Sequence, residues 1–544
     1  MTAFLWRALF AVVVVVLVAQ NILLWHSSGK PSEPSIPLPK NGHRPASQPE
    51  ESHPESQTTL VSHESNWTYE PLKHAEDFTL NRHKCEIAFP DLWYEIDRSV
   101  SYWKHNISRS ITEDDISLDW RENGAFRALI HRNQLRIIET KGIFTLEDSQ
   151  FPERAIAVWQ QIHRALLGAT AAGETLPSIE FSVSVDDRPD TPEEDPEDTH
   201  TLWSFSRKYD NPAHDRAWVM PDFNFWSWRG VAGSFTEMRA RGKQLDEYIE
   251  DKIQKAVWRG VVWTNPDVRA PLLEATQGKP WADVVEFDWM THANFIPMED
   301  FCRYALLVHT EGRSWSGRLK YLLNCDSVTM IHDREWTAHY YSLLKDSGPG
   351  QNYVSVRRDF SDLREKVLHQ LTDVRDAQRI ANNAVATFRD RYLTLAAETC
   401  YWRRMIQSWS DIAFSPEVYE DVEKNITGKM KTKRMLRGIA FEEMVTQGAR
   451  RDEYPPTPKE EEPAEGEGEG EGEGEVEGEG EGEGEGEGEG EGEGQGEGEG
   501  SEAETKEGAH RTNEGGSSGD ESDKEGGGTD APQTSSAAKH GQTG

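Results

Sequence analysis

The sequence predicts an α/β fold, and three observations carry that reading. Ile179-Glu-Phe-Ser-Val-Ser-Val185 alternates apolar and polar residues, is rich in β-branched side chains, and ends at Asp186-Asp187-Arg188-Pro189, which is the signature of a strand running into a turn. Arg303-Tyr-Ala-Leu-Leu-Val-His-Thr310 reads as a second strand, residues 315–324 have helical spacing, and Ser327-Val-Thr-Met-Ile331 reads as a third strand. Strand, loop, helix and strand within about 30 residues form a βαβ unit, whose crossover implies a parallel sheet. Finally, Leu363, Val367, Leu371, Val374, Ala377, Ala381, Val385, Phe388 and Tyr392 mark one face of helical segments running toward Cys400. That stripe is core packing and carries no chemistry.

The charge of the chain is unevenly placed. Of the 96 acidic and 59 basic residues, 31 acidic and 6 basic fall in residues 451–544, so that tail carries −25 of the total −37. Residues 465–500 are Glu-Gly dipeptides broken only by Val476 and Gln495. Charge repulsion and glycine flexibility forbid a packed core there, so residues 451–544 read as a disordered tail. The acidic balance argues against a nucleic-acid partner, which wants a basic face.

The N-terminus points to a membrane. Residues 4–25 are long enough to span it, with Trp6 and Trp25 at the two interfaces. The competing reading is a cleaved signal peptide, because the uninterrupted apolar run of residues 8–19 is of the length such peptides use. Either way the chain beyond residue 26 enters the secretory pathway. Sequons at Asn66, Asn106 and Asn425 and an even set of four cysteines (Cys85, Cys302, Cys325 and Cys400) suit an oxidising lumen. The expectation is a single-pass type II membrane protein of the Golgi or ER, catalytic region lumenal. Residues 26–75 read as a disordered stalk, residues 76–420 as the catalytic region, and residues 421–450, with Lys429-Met-Lys-Thr-Lys-Arg434, as a basic linker or helix.

The most informative stretch is Glu311-Gly312-Arg313-Ser314-Trp315-Ser316-Gly317-Arg318. It leaves the C-terminal end of a strand and enters a helix, where open α/β folds bind ligands. Its glycines let the backbone approach a ligand. Ser314 and Ser316 can cap the helix or donate to phosphate oxygens, while helix-start amides, Arg318 and Lys320 attract an anion. The pattern matches neither a Walker loop nor the dinucleotide fingerprint, and a capped, solvent-facing helix start would read the same way. Val257-Trp258-Arg259-Gly260 delivers an arginine to a strand end, suited to clamping a diphosphate or to an ordinary surface ion pair. Asp186-Asp187 places a carboxylate where a general base could act, or where a turn simply needs aspartate.

These segments in this order resemble glycosyltransferase family 90, which holds fungal capsule-associated proteins and animal protein O-glucosyltransferases. The resemblance covers roughly residues 80–415. It is carried by Val183-Ser-Val-Asp-Asp-Arg-Pro189, Met220-Pro-Asp-Phe-Asn-Phe-Trp226, Trp258-Arg-Gly260, Gly312-Arg-Ser-Trp-Ser-Gly-Arg-Leu-Lys320, Asp333-Arg-Glu-Trp336 and Asn352-Tyr-Val-Ser-Val356 with Asp359 and Leu363. The Ser-Trp-Ser-x-Arg-x-Lys form looks like the fungal branch. The resemblance implies a GT-B fold: two Rossmann-like domains with an interdomain cleft, about residues 76–250 on the acceptor side and about residues 251–400 holding the nucleotide. It implies an inverting transferase that moves a sugar, xylose or glucose, from a UDP-sugar to a glycan or protein hydroxyl with no metal. No Asp-x-Asp occurs between residues 76 and 450, in keeping with that. Asp187 matches the family's base, and Arg259 and Arg318 match the arginines on the diphosphate. Gly312, Ser314, Trp315, Ser316 and Gly317 match the nucleotide-binding loop, and Glu335 sits where the ribose would be bound. The family pattern also implies bridges Cys302–Cys325 and Cys85–Cys400. The rival readings are a catalytically degenerate, lectin-like protein of the same fold and a surface structural protein whose acidic tail is the working part.

Overall fold

Two sheets organise the chain, and a turn explains why the first is mixed. Arg132 and Asn133 both have positive φ, 52° and 57°, the geometry of a two-residue primed turn whose twist matches its flanking strands. Asn133 is held there, its amide donating to Glu174 O at 2.7 Å and Thr170 Oγ1 at 2.9 Å. The turn joins Ala125–His131 to Gln134–Lys141 in antiparallel register. Ile179–Ser184 pairs antiparallel with the first of these, and Trp203–Ser204 and Trp218–Val219 then add in parallel. Ile439–Ala440 closes the far edge of this six-stranded sheet.

The first half, where the resemblance implies a Rossmann-like domain, is therefore a mixed sheet, parallel from Ile179–Ser184 outward and antiparallel on the other side. The strand expected from Ile179 is present as Ile179–Ser184, and every residue of it is buried. Its polar face is not solvated, because Glu180 is paired with Arg127 at 2.6 Å and Arg437 at 2.8 Å. Arg437 arrives from 257 residues away, so the alternation concealed a charge network rather than a wet face.

The second sheet is wholly parallel, in the spatial order Ala282–Glu286, Ile253–Gly260, Tyr304–His309, Val328–His332, Val354–Val356. Numbered within this half the order is 2-1-3-4-5, a doubly wound arrangement. Helix Pro266–Thr276 crosses between its first two strands, and helices Leu363–Thr372 and Val374–Ala384 follow its last strand, where the expected stripe buries Leu363, Val367, Ala377 and Ala381. The helix expected over residues 315–324 shrinks to the single turn Leu319–Leu322.

The structure, a computed structural model, describes residues 67–145, 149–189, 198–288, 290–426 and 429–447. The anchor segment 4–25, the sequon at Asn66, nearly all of the stalk and the tail 451–544 lie outside those residues. Among the described residues no helix is long and apolar enough to cross a membrane. The core does not respect the boundary between the halves. One apolar cluster runs from Phe181, Trp203 and Trp218 through Trp402 and Trp409 to Val257, Leu307 and Ile331 of the parallel sheet. Helix Leu395–Ser410 returns to pack on Phe151–Ala171, where Trp402 Nε1 donates to Gln161 Oε1 at 3.3 Å.

Both bridges implied by the resemblance are present, Cys85–Cys400 and Cys302–Cys325. Residues 421–450 differ from the linker or helix expected. Tyr419–Ile426 and Lys429–Leu436 form an antiparallel hairpin that sets Asp421 opposite Arg434, and Arg434 lies 5.2 Å over the Tyr419 ring. Lys-Met-Lys-Thr-Lys has period two, and an acidic partner strand makes it a ribbon. The chain then forms helix Phe441–Gln447, which buries Phe441 and Met444 in the main core.

Candidate active site

In a doubly wound 2-1-3-4-5 sheet the crevice for a ligand opens at the carboxyl ends of strands 1 and 3, where the winding reverses. Here those ends are Gly260 and His309, and the loop after His309 is the one singled out from sequence. The loop is tightly bound at several points. Gly312 N donates to Ser314 O at 3.1 Å, and Asn265 Nδ2 donates to Gly312 O at 2.9 Å. Trp315 is buried against Phe205, 5.4 Å between ring centres. Ser316 O accepts from Leu319 N at 3.2 Å and so starts the helical turn. No serine side chain caps that turn. Ser314 Oγ instead donates to the Asp187 carbonyl at 2.5 Å.

With one helical turn in place of a full helix, the positive character of the crevice rests on arginines. Arg318 and Arg269 have no carboxylate partner among the described residues. Arg318 Nη1 donates to Arg259 O, its Nε has no partner among the described residues, and burial, with Arg269 close by, pulls it down to about 9. Arg269 donates to Glu311 O at 3.0 Å and Val261 O at 2.7 Å, and burial pulls it to about 10. Its Nη2 lies 3.5 Å from where a Gly312 side chain would begin, which places the guanidinium against the loop backbone. Arg334 Nη1 is likewise buried and without a partner among the described residues, with the guanidinium 5.0 Å over the Tyr341 ring. Cations buried without counter-charges are costly, and an anion in the crevice would offset that cost.

Arg259 is placed differently. Its Nη2 pairs with Asp283 Oδ1 at 2.7 Å, Nη1 donates to Asp283 O and Trp258 O, and Nε donates to Asn294 O at 3.0 Å. Four of its five N–H groups are thus engaged, with its own strand, with strand Ala282–Glu286 and with the segment at Asn294. Glu335 is half-exposed and paired with Lys208 at 3.0 Å and Arg358 at 3.1 Å. Burial opposes its ionisation, but those two cations hold it below the usual range. Its backbone is fixed by Glu311, whose buried carboxylate accepts from Glu335 N at 3.0 Å, Trp336 N at 2.8 Å and Arg358 Nη1 at 3.0 Å.

Asp187 faces this loop from the other half. Its Oδ1 accepts from Arg154 Nη1 at 2.9 Å, while no described residue donates to Oδ2. Arg154 is itself fixed by Val185 O at 3.2 Å and by the Phe223 ring, 4.9 Å away. Asp186 turns inward to its own chain, its Oδ1 accepting from Asp187 N at 2.5 Å. The arrangement holds the Asp187 backbone against the loop that carries Arg318, with one carboxylate oxygen open and with Arg318 and Arg269 lacking carboxylate partners among the described residues. That is equipment for deprotonating a hydroxyl beside a phosphate-bearing ligand. No group of three or more His, Cys, Asp or Glu among the described residues could hold a metal ion.

Comparison with known proteins identifies the family. The model of the family described as "Glycosyl transferase family 90" matches residues 86–465. The chain belongs to glycosyl transferase family 90. Among curated family relatives, protein O-glucosyltransferase 2 of Danio rerio is 27% identical over 266 residues, 46% of this chain and 50% of that protein. The O-glucosyltransferase rumi of Drosophila pseudoobscura pseudoobscura is 24% identical over 310 residues, 50% of this chain and 68% of that protein. Protein O-glucosyltransferase 3 of Rattus norvegicus is 30% identical over 122 residues, 22% of this chain and 23% of that protein. The match thus spans about half the length of the Danio rerio relative.

Sequence reasoning missed Arg269, Arg154 and Glu311. Arg269 left one trace, an arginine between Val268 and Leu272 on a helix whose apolar side is core. Arg154 left none, and Glu311 stood only as the first residue of the loop with no role, since their partners are 33 and 24 or more residues away.

Proposed function

We propose that the protein is an inverting glycosyltransferase of GT-B type, taking a sugar from a UDP donor and placing it on a glycan or protein hydroxyl. The parallel half holds the nucleotide and the mixed half presents the acceptor to Asp187. The observation that carries this reading is the contact between Ser314 and the Asp187 backbone, which joins the crevice loop to the carboxylate. Asp187 takes the proton from the acceptor hydroxyl through its open oxygen while Arg154 fixes the carboxylate's direction. The acceptor oxygen attacks the anomeric carbon from the face opposite the diphosphate. The carbon–oxygen bond to the diphosphate then breaks, and the electron pair leaves with UDP. Arg318 and Arg269 oppose the negative charge gathering on the leaving group, the work that a metal does in other transferases. Arg259 contributes by holding the strand end from which the Arg318 contact is made.

Glucose is the sugar in the printed names of the relatives, and glucose or xylose on a protein or glycan hydroxyl is the transfer proposed for this chain. Two disulfides support a lumenal catalytic region, anchored by residues 4–25 in Golgi or ER membrane. The test is a transfer assay with UDP-glucose and UDP-xylose, with the product's anomeric configuration read by NMR. Inverted product, and turnover unchanged by EDTA, are expected. Retained configuration or a strict manganese requirement contradicts the mechanism.

A further inference from the structure

The crevice loop is seated on the Met220-Pro-Asp-Phe-Asn-Phe-Trp226 segment of the other half through a fully buried ion pair. Lys320 Nζ lies 2.6 Å from Asp222 Oδ1 and donates to Gly317 O at 3.1 Å. The two side chains are 0% and 2% exposed, and the rings of Phe225 and Tyr321 lie 4.8 and 5.2 Å from the ammonium. The segment beneath is equally fixed. Asn224 N donates to Asp222 Oδ1 at 2.9 Å, Gln161 Nε2 to Asp222 O at 3.0 Å, and Tyr321 OH to Asn224 O at 3.1 Å. A side chain at Gly317 would overlap the Asn224 amide nitrogen, so glycine is required there by the approach of the opposite half.

Such a pair is a poor source of stability. Desolvation offsets most of its attraction, and an apolar pair of similar volume holds two surfaces at least as well. Burial pulls Lys320 down to about 8 against the opposing pull of Asp222, and Asp222 Oδ2 has no partner among the described residues. What the charged pair supplies is direction. An ammonium fixed between a carboxylate and the Gly317 carbonyl orients the peptide immediately before Arg318.

We propose that Asp222 and Lys320 are positioning residues for donor binding: their ion pair locks the Gly317 peptide, and with it Arg318, against the half that carries Asp187. This rests on the donor-site reading above. The pair touches no reacting atom and acts through the loop alone.

The test removes both charges together, which avoids leaving one buried and unpaired. In the full-length protein carrying Asp222→Asn with Lys320→Met, thermal melting reports the fold and calorimetry reports UDP affinity. The melting temperature stays within a few degrees of wild type, while the dissociation constant for UDP rises at least tenfold. A folded double variant that binds UDP as tightly as wild type overturns the proposal. If that variant does not fold, Lys320→Arg takes its place. The guanidinium keeps the charge but cannot occupy the ammonium's position, so UDP binding weakens severalfold, and wild-type affinity overturns the proposal. Wild-type protein that fails to bind UDP sinks the donor-site reading and this inference together. Wild-type binding with unaffected variants sinks the inference alone.

Discussion

Two arginines that look alike in sequence do different work, and the difference lies in what surrounds each guanidinium. Arg259 has spent its donors on Asp283 and Asn294, residues 24 and 35 positions away that no local pattern connects to it. Arg318 has no carboxylate partner among the described residues and is buried near Arg269, which donates only to backbone carbonyls among them. Arg259→Ala therefore costs stability of about 2 kcal/mol, since it leaves Asp283 short of its partner. UDP affinity should fall less in it than in Arg269→Ala, which removes a donor to the crevice. Denaturant melts and UDP titrations of the two variants separate the roles, and the reverse order of UDP affinities counts against the assignment. Asp187→Asn keeps the shape of the carboxylate but cannot accept the proton. It should lose transfer by at least a hundredfold while binding UDP as before. Turnover left intact would return attention to Asp186.

At the scale of elements, the loop and its flanking strands were legible because a βαβ unit and a Ser-Trp-Ser-Gly-Arg run are local signals. The hairpin over residues 419–436 was not, because Lys-Met-Lys-Thr-Lys reads as solvated in any conformation until an acidic strand is set opposite. The mixed character of the first sheet was hidden for a similar reason: it depends on two positive-φ residues, neither of them glycine, at Arg132 and Asn133. The strand ends around the crevice also carry buried imidazoles with a measurable consequence. His332 accepts from Glu311 N at 2.9 Å, and burial chiefly, aided by Arg358 and Arg334, lowers it to about 4. His339 is lowered to about 3 by burial and by Lys320. Both stay neutral in the fold, while the unfolded chain takes up protons near pH 6.5. Their contribution is thus whole above about pH 6.5 and is lost as pH falls through the folded values, by roughly 3 kcal/mol for His332. Glu311, raised by burial, opposes this trend. The comparison that isolates it is the pH dependence of melting in wild type and His332→Asn between pH 7 and 4, where the variant has the shallower slope. Equal slopes would mean that His332 is not held neutral.

On the scale of the whole molecule, the halves share one apolar cluster and are cross-tied by chain segments distant in sequence. Cys85–Cys400 spans 315 residues and Cys302–Cys325 spans 23. Removing the longer bridge in a Cys85→Ala, Cys400→Ala protein costs about 5–6 kcal/mol, and removing the shorter about 3 kcal/mol, on the chain-entropy account. Chemical melts of the two variants test that ranking, and a larger loss from the short bridge contradicts it. The pairing itself was available only through family resemblance, because four cysteines allow three arrangements. The Asp222–Lys320 pair became visible only once two halves of the chain were brought against each other, and Arg269 only once its helix was packed beside the loop after His309. The family match ends at residue 465, so deleting residues 466–544 should leave sugar transfer unchanged, and loss of turnover would assign the tail a part in the reaction.

The proposed transfer rests on UDP binding between Gly260 and His309 through arginines that have no carboxylate partner among the described residues. Calorimetric titration of the protein with UDP and then with UDP-glucose and UDP-xylose, beside the Arg318→Ala variant, tests it most directly. The account predicts saturable one-to-one binding of UDP that Arg318→Ala weakens at least tenfold, about 1.4 kcal/mol, with one sugar preferred. No binding to the wild type, or binding that Arg318→Ala leaves untouched, would contradict it.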